Sequence, residues 1–251
     1  MGTRTTVHVA KFPLASTALR VVVLDPPRPL PEWCRANAVE HALVGGFYTR
    51  ANGVPLGELR THGIARRSEP FTHPGRSCLH IDGGTPRIAP RAELPDEPRG
   101  DLLQAGPLLV RAGEPIITRG MDPEGFSAGQ GQFDSDITEG RYPRAALGFG
   151  GGHAIAVAAD GRSDDDAGLT LAELARLMAR LGAREAINLD GGGSTSLVVD
   201  GSLVNRPRDD HGAPPHAGRP ICTAIAFEPA IVKTRRDTVR PDDLAATSRR
   251  G

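Results

Sequence analysis

One segment of the chain combines an acid, a run of glycines and hydroxyl side chains at a spacing that could do chemistry. Ala186–Val199 reads AINLDGGGSTSLVV, so Asn188 and Asp190 lie at the end of an apolar run and three glycines follow. Glycine permits positive φ angles, and successive backbone N–H groups in such a turn can form a nest for an anion. The segment predicts a site for a sugar or a phosphate. A plain tight turn between two strands would have the same composition, which leaves both interpretations open.

Other chemistries do not fit the spacing of this segment. A P-loop requires a lysine after its second glycine, and no lysine lies nearby. A nucleophile elbow requires G-x-S-x-G, whereas Gly192–Ser196 ends in serine. The histidines lack zinc spacing, and Asp134, Asp136 and Glu139 lack the spacing of a calcium loop. We therefore predict no cofactor and no metal ion.

Composition and charge narrow the class of protein. A chain of 251 residues is long enough for an enzyme domain, and 30 basic residues balance 30 acidic ones. This balance argues against a global basic field for nucleic acid or anionic lipid.

No apolar run approaches the ~20 residues of a membrane span, and the first residues lack the apolar core of a secretory signal. The three cysteines suggest no disulfide framework. We expect a cytoplasmic protein that contacts neither nucleic acid nor a membrane, with its oligomeric state left open.

The elements that must position the glycine segment are predicted to be short strands and one helix. Leu169–Leu181 has the apolar period of an amphipathic helix, with a capping box of Thr170 and Glu173 at its start and Gly182 after its end. Alternating or continuous apolar runs predict the strands. They are Thr5–Lys11, Leu19–Leu24, His41–Tyr48 with a glycine break, two strands around a Gly106-Pro107 turn in Leu102–Arg111, Ala145–Phe149, Ala154–Ala159, Ala186–Leu189, a hairpin of Leu197–Val199 and Leu203-Val204 with a type I′ turn, and Ile221–Phe227.

The remaining segments set the limits of the domain. Asp25–Pro31, DPPRPLP, is predicted as a loop because its prolines cannot donate to a strand ladder. Gly113–Gly140 is polar and rich in glycine, and a loop of that length is usually functional or disordered. We predict an α+β fold of strand-rich mixed sheets with one or a few helices. It forms a single domain over residues 1–232, and a charged tail without a core pattern follows over residues 233–251.

Several motifs occur in an order that resembles the phosphodiester glycosidase family over about residues 40–228. The most specific of them is NLDGGGS at Asn188–Ser194, which matches the family pattern without a gap. At two positions the chain departs from the family, with Val44 in place of asparagine and Ala145 in place of threonine. The other matching elements are Gly45-Gly46-Phe47-Tyr48, Asn52-Gly53, Pro55-Leu56-Gly57, Gln104-Ala105-Gly106-Pro107, Arg144–Gly148, Asp160-Gly161-Arg162, the Gly168–Leu181 helix, Asn205-Arg206-Pro207 and Arg219-Pro220.

The resemblance implies a phosphodiester-glycosidase-like domain that hydrolyses a sugar-1-phosphodiester at the anomeric carbon and releases a sugar and a phosphate-bearing product. A phosphate monoester leaves readily, so the site mainly needs a carboxylate to assist an oxocarbenium-like transition state. The resemblance implies Asp190 as this carboxylate, Asp160 as the second candidate, and Arg144 as the clamp on the phosphate. The implied substrate-binding residues are Asn188, Gly191, Gly192, Gly193, Ser194, Thr195, Gln104, Gly46, Phe47 and Arg219.

Plainer interpretations compete with this assignment. Asp160 lies in an Asp-Gly turn, Arg144 precedes a strand, and Asp190 could cap its own turn. Because Val44 replaces the family's asparagine, a non-catalytic sugar-phosphate-binding protein is the competing hypothesis. A transglycosylase that acts at an anomeric centre is the third. If the chain stays in the cytoplasm, the expected substrate is a biosynthetic intermediate, such as a glycosylated nucleotide or an antibiotic.

Overall fold

The fold consists of short strands and two helices. The computed structural model describes residues 4–49, 52–118, 120–126, 138, 140–209 and 218–230. Within these ranges the helices are α1, Leu30–Asn37, and α2, Leu171–Arg180. The strands in the same ranges are β1 Val7–Pro13, β2 Thr17–Arg28, β3 His41–Val44, β4 Tyr48–Thr49, β5 Val54–Pro55, β6 Leu59–Thr61, β7 Ile64–Ala65, β8 Ser77–Asp82, β9 Thr85–Pro90, β10 Asp101–Gln104, β11 Leu108–Arg111, β12 Glu114–Pro115, β13 Arg144–Gly150, β14 His153–Ala159, β15 Glu185–Asn188, β16 Leu197–Val199, β17 Ser202–Leu203 and β18 Ile221–Pro229.

These strands pair into three larger sheets and one small hairpin. The six-stranded sheet has the order β1-β14-β13-β15-β11-β12, and the two five-stranded sheets have the orders β7-β6-β10-β8-β9 and β17-β16-β3-β18-β2. The β4–β5 hairpin stands apart from them. The strand pairs in the described ranges are antiparallel, and an isolated parallel bridge joins Leu56 and Glu69. The predicted α+β class, rich in strands and with few helices, is confirmed.

The six-stranded sheet is buried on both faces, and this explains the nearly continuous apolar runs in its strands. Leu147 and Ile187 pack into the large central core, whereas Ala146 and Ala186, one position away on the same strands, pack against α2. The predicted capping box begins α2, because Thr170 accepts a hydrogen bond from the Glu173 backbone and the Glu173 carboxylate accepts one from the Thr170 backbone. The candidate turn therefore follows a strand that is held rigidly on both sides.

The loop predicted over Asp25–Pro31 is wrong. Strand β2 continues to Arg28, and α1 begins at Leu30 with Pro31 in its first turn. Because β2 is the edge strand of its sheet, the missing N–H groups of its prolines need not interrupt a ladder. A proline in the first turn of a helix likewise removes an N–H group that has no partner within the helix. In this segment the prolines mark a sheet edge and a helix start.

The predicted turn of the hairpin between β16 and β17 is confirmed. Asp200 and Gly201 have φ angles of 50° and 71°, as a type I′ turn between β16 and β17 requires. The three cysteines are buried free thiols. No helix in the described ranges is long and apolar enough to span a membrane. The tail at 233–251 and the acidic residues Asp134, Asp136 and Glu139 lie outside the described residues, and the domain limits stay a prediction.

Candidate active site

The candidate site is built on the turn that follows β15. The Asp190 N–H group donates to the Gly45 carbonyl at 3.0 Å, which ties the end of β15 to the loop after β3. A 3-10 turn over Gly192–Ser194 comes next, and Gly192 has a φ angle of +59°. A Cβ atom on Gly191 would lie only 2.8 Å from the Pro143 carbonyl oxygen. The glycines are thus required by a close backbone approach at one position and by a left-handed conformation at the next.

The Asp190 carboxylate lies at the start of this turn. Its Oδ1 accepts a hydrogen bond of 2.9 Å from the Gly191 N–H group, and its Oδ2 is enclosed by protein atoms. Burial, and after it the negative charge of Asp190, raises the pKa of Tyr48. The same two causes, in the same order, raise the pKa of Cys222 to about 12. The carboxylate therefore acts electrostatically on a phenol and a thiol from two other strands, which places all three groups close together.

Arg162 lies against the second glycine of the turn. A Cβ atom on Gly192 would be 2.9 Å from Arg162 Nη1. Arg162 has a φ angle of 59° in the turn after β14, and its Nη1 donates to the Arg208 carbonyl at 3.2 Å. The guanidinium carbon lies 5.3 Å from the centre of the Tyr142 ring, within the range of a cation–π contact. These contacts hold a positive charge beside the triglycine turn.

Arg219 lies against the third glycine. Its N–H group donates to the Gly193 carbonyl at 3.0 Å, and a Cβ atom on Gly193 would be 3.1 Å from Arg219 Nη2. Arg219 also forms an ion pair with Asp209. Tyr48 is half-buried next to it, with its hydroxyl 3.5 Å from Ser194 Oγ, and the Arg219 guanidinium moderates the rise in the Tyr48 pKa. The turn is therefore flanked by two guanidinium groups, a phenol and a hydroxyl.

Buried polar atoms with unused hydrogen-bonding capacity lie in the same segment. Asn188 Nδ2 donates to the Gly106 carbonyl at 2.9 Å, but Asn188 Oδ1 has no partner among the described residues. Thr195 Oγ1 and Ser196 Oγ are also buried without a partner in that part of the chain. Such atoms are uncommon in folded proteins and often mark a place where a ligand or water completes the bonding. Their position supports the substrate contacts predicted for Asn188 and Thr195.

Two of the three predicted catalytic residues are instead committed to holding the fold. Asp160 is 3% exposed, its Oδ1 accepts from the Arg206 N–H group at 2.7 Å, and its Oδ2 lies 3.1 Å from His8 Nε2. Arg144 is 2% exposed and donates from Nε to the Leu169 carbonyl and from Nη2 to the Gly140 carbonyl, both at 3.0 Å. These bonds hold the surrounding segments together, and the catalytic roles predicted for Asp160 and Arg144 stay predictions.

Gln104 also serves the surrounding loops. Its Oε1 accepts from the Glu58 N–H group at 3.0 Å. Its Nε2 donates to the Pro74 carbonyl at 2.9 Å and to the Arg76 carbonyl at 3.2 Å. The amide is thus occupied by backbone partners on both sides, and the substrate contact predicted for Gln104 stays a prediction.

Gly46 and Phe47 support the loop beneath Asp190. The Gly46 N–H group donates to Thr223 Oγ1 at 3.0 Å. Phe47 is buried, with its ring centre 6.2 Å from that of Phe71 and 5.6 Å from that of Phe126. Both residues thus contribute to packing, and the substrate contacts predicted for them stay predictions. No group of three His, Cys, Asp or Glu side chains that could hold a metal occurs in the described ranges.

Three residues of the site were missing from the sequence prediction. Tyr48 and Arg162 belong to motifs that were recognised, GGFY and DGR, but each was the last residue of its motif and received no role. Asp209 lies in the polar run PRDD, which has no motif and no periodicity. An ion pair with Arg219, ten residues further along the chain, holds Asp209 at the turn.

The sequence of the chain is similar to those of known proteins. The family model described as phosphodiester glycosidase matches residues 37–228. Mouse N-acetylglucosamine-1-phosphodiester alpha-N-acetylglucosaminidase is 29% identical over 169 residues, which cover 66% of this chain and 32% of the mouse protein. The chain thus spans about a third of the length of that relative.

The fold is similar to several solved structures. The zebrafish N-acetylglucosamine-1-phosphodiester alpha-N-acetylglucosaminidase catalytic domain, auto-inhibited by its pro-peptide, superimposes with a TM-score of 0.65 at 20% identity, covering 90% of this chain and 83% of the other. An exported protein of Burkholderia pseudomallei gives a TM-score of 0.65 at 17% identity, with coverages of 89% and 74%. These identities establish the fold alone. Because the family model spans well over half of the sequence, the chain belongs to the phosphodiester glycosidase family.

Proposed function

We propose that this domain hydrolyses a sugar-1-phosphodiester at the anomeric carbon, with Asp190 as the catalytic carboxylate. One observation carries the proposal: a carboxylate begins the triglycine turn, and Arg162 and Arg219 lie against its second and third glycines. The turn over residues 190–193 thereby brings together an acid for the sugar and two guanidinium groups for the phosphate. The name of the mouse relative suggests N-acetylglucosamine as the sugar.

The reaction explains why these groups are needed together. When the bond between C1 and the phosphate oxygen breaks, its electron pair stays on the phosphate and positive charge develops on the sugar ring. The guanidinium groups of Arg162 and Arg219 stabilise the leaving phosphate, as donors aimed at a developing charge do in other enzymes. Asp190 stabilises the ring and assists the attack of water at C1. Because the second pKa of a phosphate monoester is near 6, the leaving oxygen needs little help from an acid.

The remaining residues of the turn hold the substrate in this reaction. The raised pKa of Tyr48 keeps its phenol protonated at neutral pH, so that it can donate a hydrogen bond to a phosphate or sugar oxygen. The Gly191 and Gly192 N–H groups donate to Asp190 Oδ1 and to the Pro143 carbonyl, so Gly192 and Gly193 serve the site by letting Arg162 and Arg219 lie against the turn. Ser194 lies next to the phenol. Asn188 and Thr195, with their unused oxygens, are suited to sugar hydroxyl groups.

The deciding experiment uses the methyl diester of N-acetylglucosamine 1-phosphate in water enriched in oxygen-18. We expect the label to enter the sugar hydroxyl, because water attacks C1, and to be absent from methyl phosphate. Asp190→Asn should lower turnover by about 10³-fold while circular dichroism and the melting temperature stay unchanged. Label in the phosphate would refute attack at carbon, and full activity of Asp190→Asn would refute its role.

The same assay separates the two competing functions. A sugar-phosphate-binding protein would bind the diester without turnover, and a transglycosylase would give a new glycoside when an alcohol is added. The configuration of the first sugar released, read by proton NMR, decides whether Asp190 attacks C1 itself or activates water. The cytoplasmic location, the biosynthetic substrate and the oligomeric state stay predictions.

A further inference from the structure

We infer that Asp209 is a specificity-determining residue that makes the site favour a singly charged phosphodiester over a doubly charged phosphomonoester. This inference rests on the proposed function, because it assigns the bound phosphate to the turn beside Arg219. It adds a property that the family assignment does not contain, which is discrimination between substrate and product by charge.

The ion pair of Asp209 and Arg219 lies directly on the triglycine turn. A Cβ atom on Gly193 would be 3.1 Å from Arg219 Nη2 and equally 3.1 Å from Asp209 Oδ1. The two side chains are partly withdrawn from water, with 19% of the Arg219 side chain and 38% of the Asp209 side chain exposed. A phosphate that reaches Arg219 at this turn therefore also meets the Asp209 carboxylate at short range.

Charged side chains of both signs lie around the turn. The positive side chains Arg162 and Arg219 face the negative side chains Asp190 and Asp209. A diester adds one negative charge, whereas a monoester adds nearly two above its second pKa, near 6. Repulsion from Asp209 is proportional to the charge of the ligand, and it is stronger in a partly buried site than in water. The penalty for the monoester is therefore about twice that for the diester.

The two ligand charges correspond to the substrate and the product of the proposed reaction. The substrate is a diester with one charge, and the phosphate-bearing product is a monoester that loses a second proton at neutral pH. Asp209 thus weakens the binding of the product more than that of the substrate. It assists product release and limits inhibition by other phosphomonoesters.

The test measures binding alone, with two ligands that cannot be hydrolysed. They are the carbon-linked phosphonate of N-acetylglucosamine, which is doubly charged at about pH 8.5, and its singly charged methyl monoester. We expect Asp209→Asn to bind the doubly charged ligand about 3- to 30-fold more tightly by calorimetry, and the singly charged one with a clearly smaller gain. Asparagine keeps an oxygen that can accept from Arg219, so the change removes charge with little change in shape.

Asp200→Asn is the matched control. It removes the same charge from the β16–β17 turn, where the carboxylate is 86% exposed, and should leave the affinities for both ligands unchanged. An equal gain for the two ligands in Asp209→Asn, or no gain, would overturn the inference, as would wild-type protein that binds neither ligand. Because no turnover enters the measurement, a chain that discriminates by charge but hydrolyses no diester would support the inference while refuting the proposed function.

Discussion

The turns after β14 and after β15 have the same beginning in sequence and different roles in the structure. An aspartate and a glycine follow a buried strand of the six-stranded sheet in both turns, with Asp160-Gly161 immediately after β14 and Asp190-Gly191 one residue beyond the end of β15. Both oxygens of the Asp160 carboxylate have partners, since Oδ2 contacts His8 and Oδ1 accepts a hydrogen bond from the Arg206 N–H group. The Asp190 carboxylate lies beside Tyr48 and a turn flanked by guanidinium groups.

An Asp-Gly pair after a strand does not by itself determine whether its carboxylate is structural or functional. The partners that distant segments bring decide it. β1 and the segment around Arg206 supply the hydrogen-bond partners of Asp160. The third residue of the same turn, Arg162, lies against Gly192. The turn after β14 thus serves the site through its arginine.

The largest effect that sharpens this contrast is expected for Arg162. Arg162→Gln removes a guanidinium from the proposed phosphate site and should lower kcat/KM for the diester by about 10²- to 10³-fold, with little change in melting temperature.

Arg144→Gln should instead lower stability and leave catalysis little changed, because the buried hydrogen bonds of Arg144 to two carbonyls hold segments together. We expect it to lower the free energy of unfolding by about 2 kcal/mol. If Arg144→Gln raised KM in a fully folded protein, Arg144 would be the phosphate clamp after all.

The contact between Arg162 and the triglycine turn can also be disrupted by a substitution in the turn itself. Gly192→Ala places a methyl group 2.9 Å from Arg162 Nη1 at a φ angle of +59°, and it should lower kcat/KM by about 10- to 100-fold by displacing the guanidinium. Gly201→Ala is the matched control, since Gly201 has a φ angle of +71° with no atom nearby. Both variants strain the backbone, by about 1–3 kcal/mol. Equal activity of the two variants would show that Arg162 contributes nothing at this position.

The sequence was sufficient for the elements whose causes are local. The period of α2, its capping box at Thr170, and the Asp200-Gly201 turn follow from neighbouring residues, and the structure has them as predicted. The turn at Asp190 was found for the same reason. The end of β2 and the start of α1 were missed because a proline is tolerated where a strand is at a sheet edge or a helix begins, and neither condition is visible in DPPRPLP.

The roles of side chains in the site depended on contacts between distant residues. Asp160 contacts His8, 152 positions away, and Asp209 is paired at the turn with Arg219. Gln104 belongs to a recognised motif, yet its amide is held by backbone groups on both sides. Spacing along the chain therefore found the right turn but could not say which nearby charges face it.

A smaller effect on turnover is expected at the other aspartate. Asp160→Asn weakens two buried hydrogen bonds to the carboxylate and should lower the free energy of unfolding by about 2 kcal/mol. Turnover per folded molecule should stay within about threefold of wild type, because the variant keeps Arg162 in place. Urea unfolding and activity, measured on the same samples, test this directly. Loss of turnover without loss of stability would restore Asp160 as a catalytic candidate.

The smallest expected effect is a shift in the ionisation of one phenol. The charge of Asp190 contributes to the raised pKa of Tyr48, so Asp190→Asn should let Tyr48 ionise at lower pH, whereas Asp160→Asn should not. The chain has only two tyrosines, and Tyr48→Phe identifies the relevant step in a titration of phenolate absorbance. Because folded Tyr48 keeps its proton to higher pH than the unfolded chain does, its contribution to stability falls as pH rises above the ordinary tyrosine range. That fall should be weaker in Asp190→Asn and absent in Tyr48→Phe, and an unchanged titration in Asp190→Asn would separate the carboxylate from the phenol.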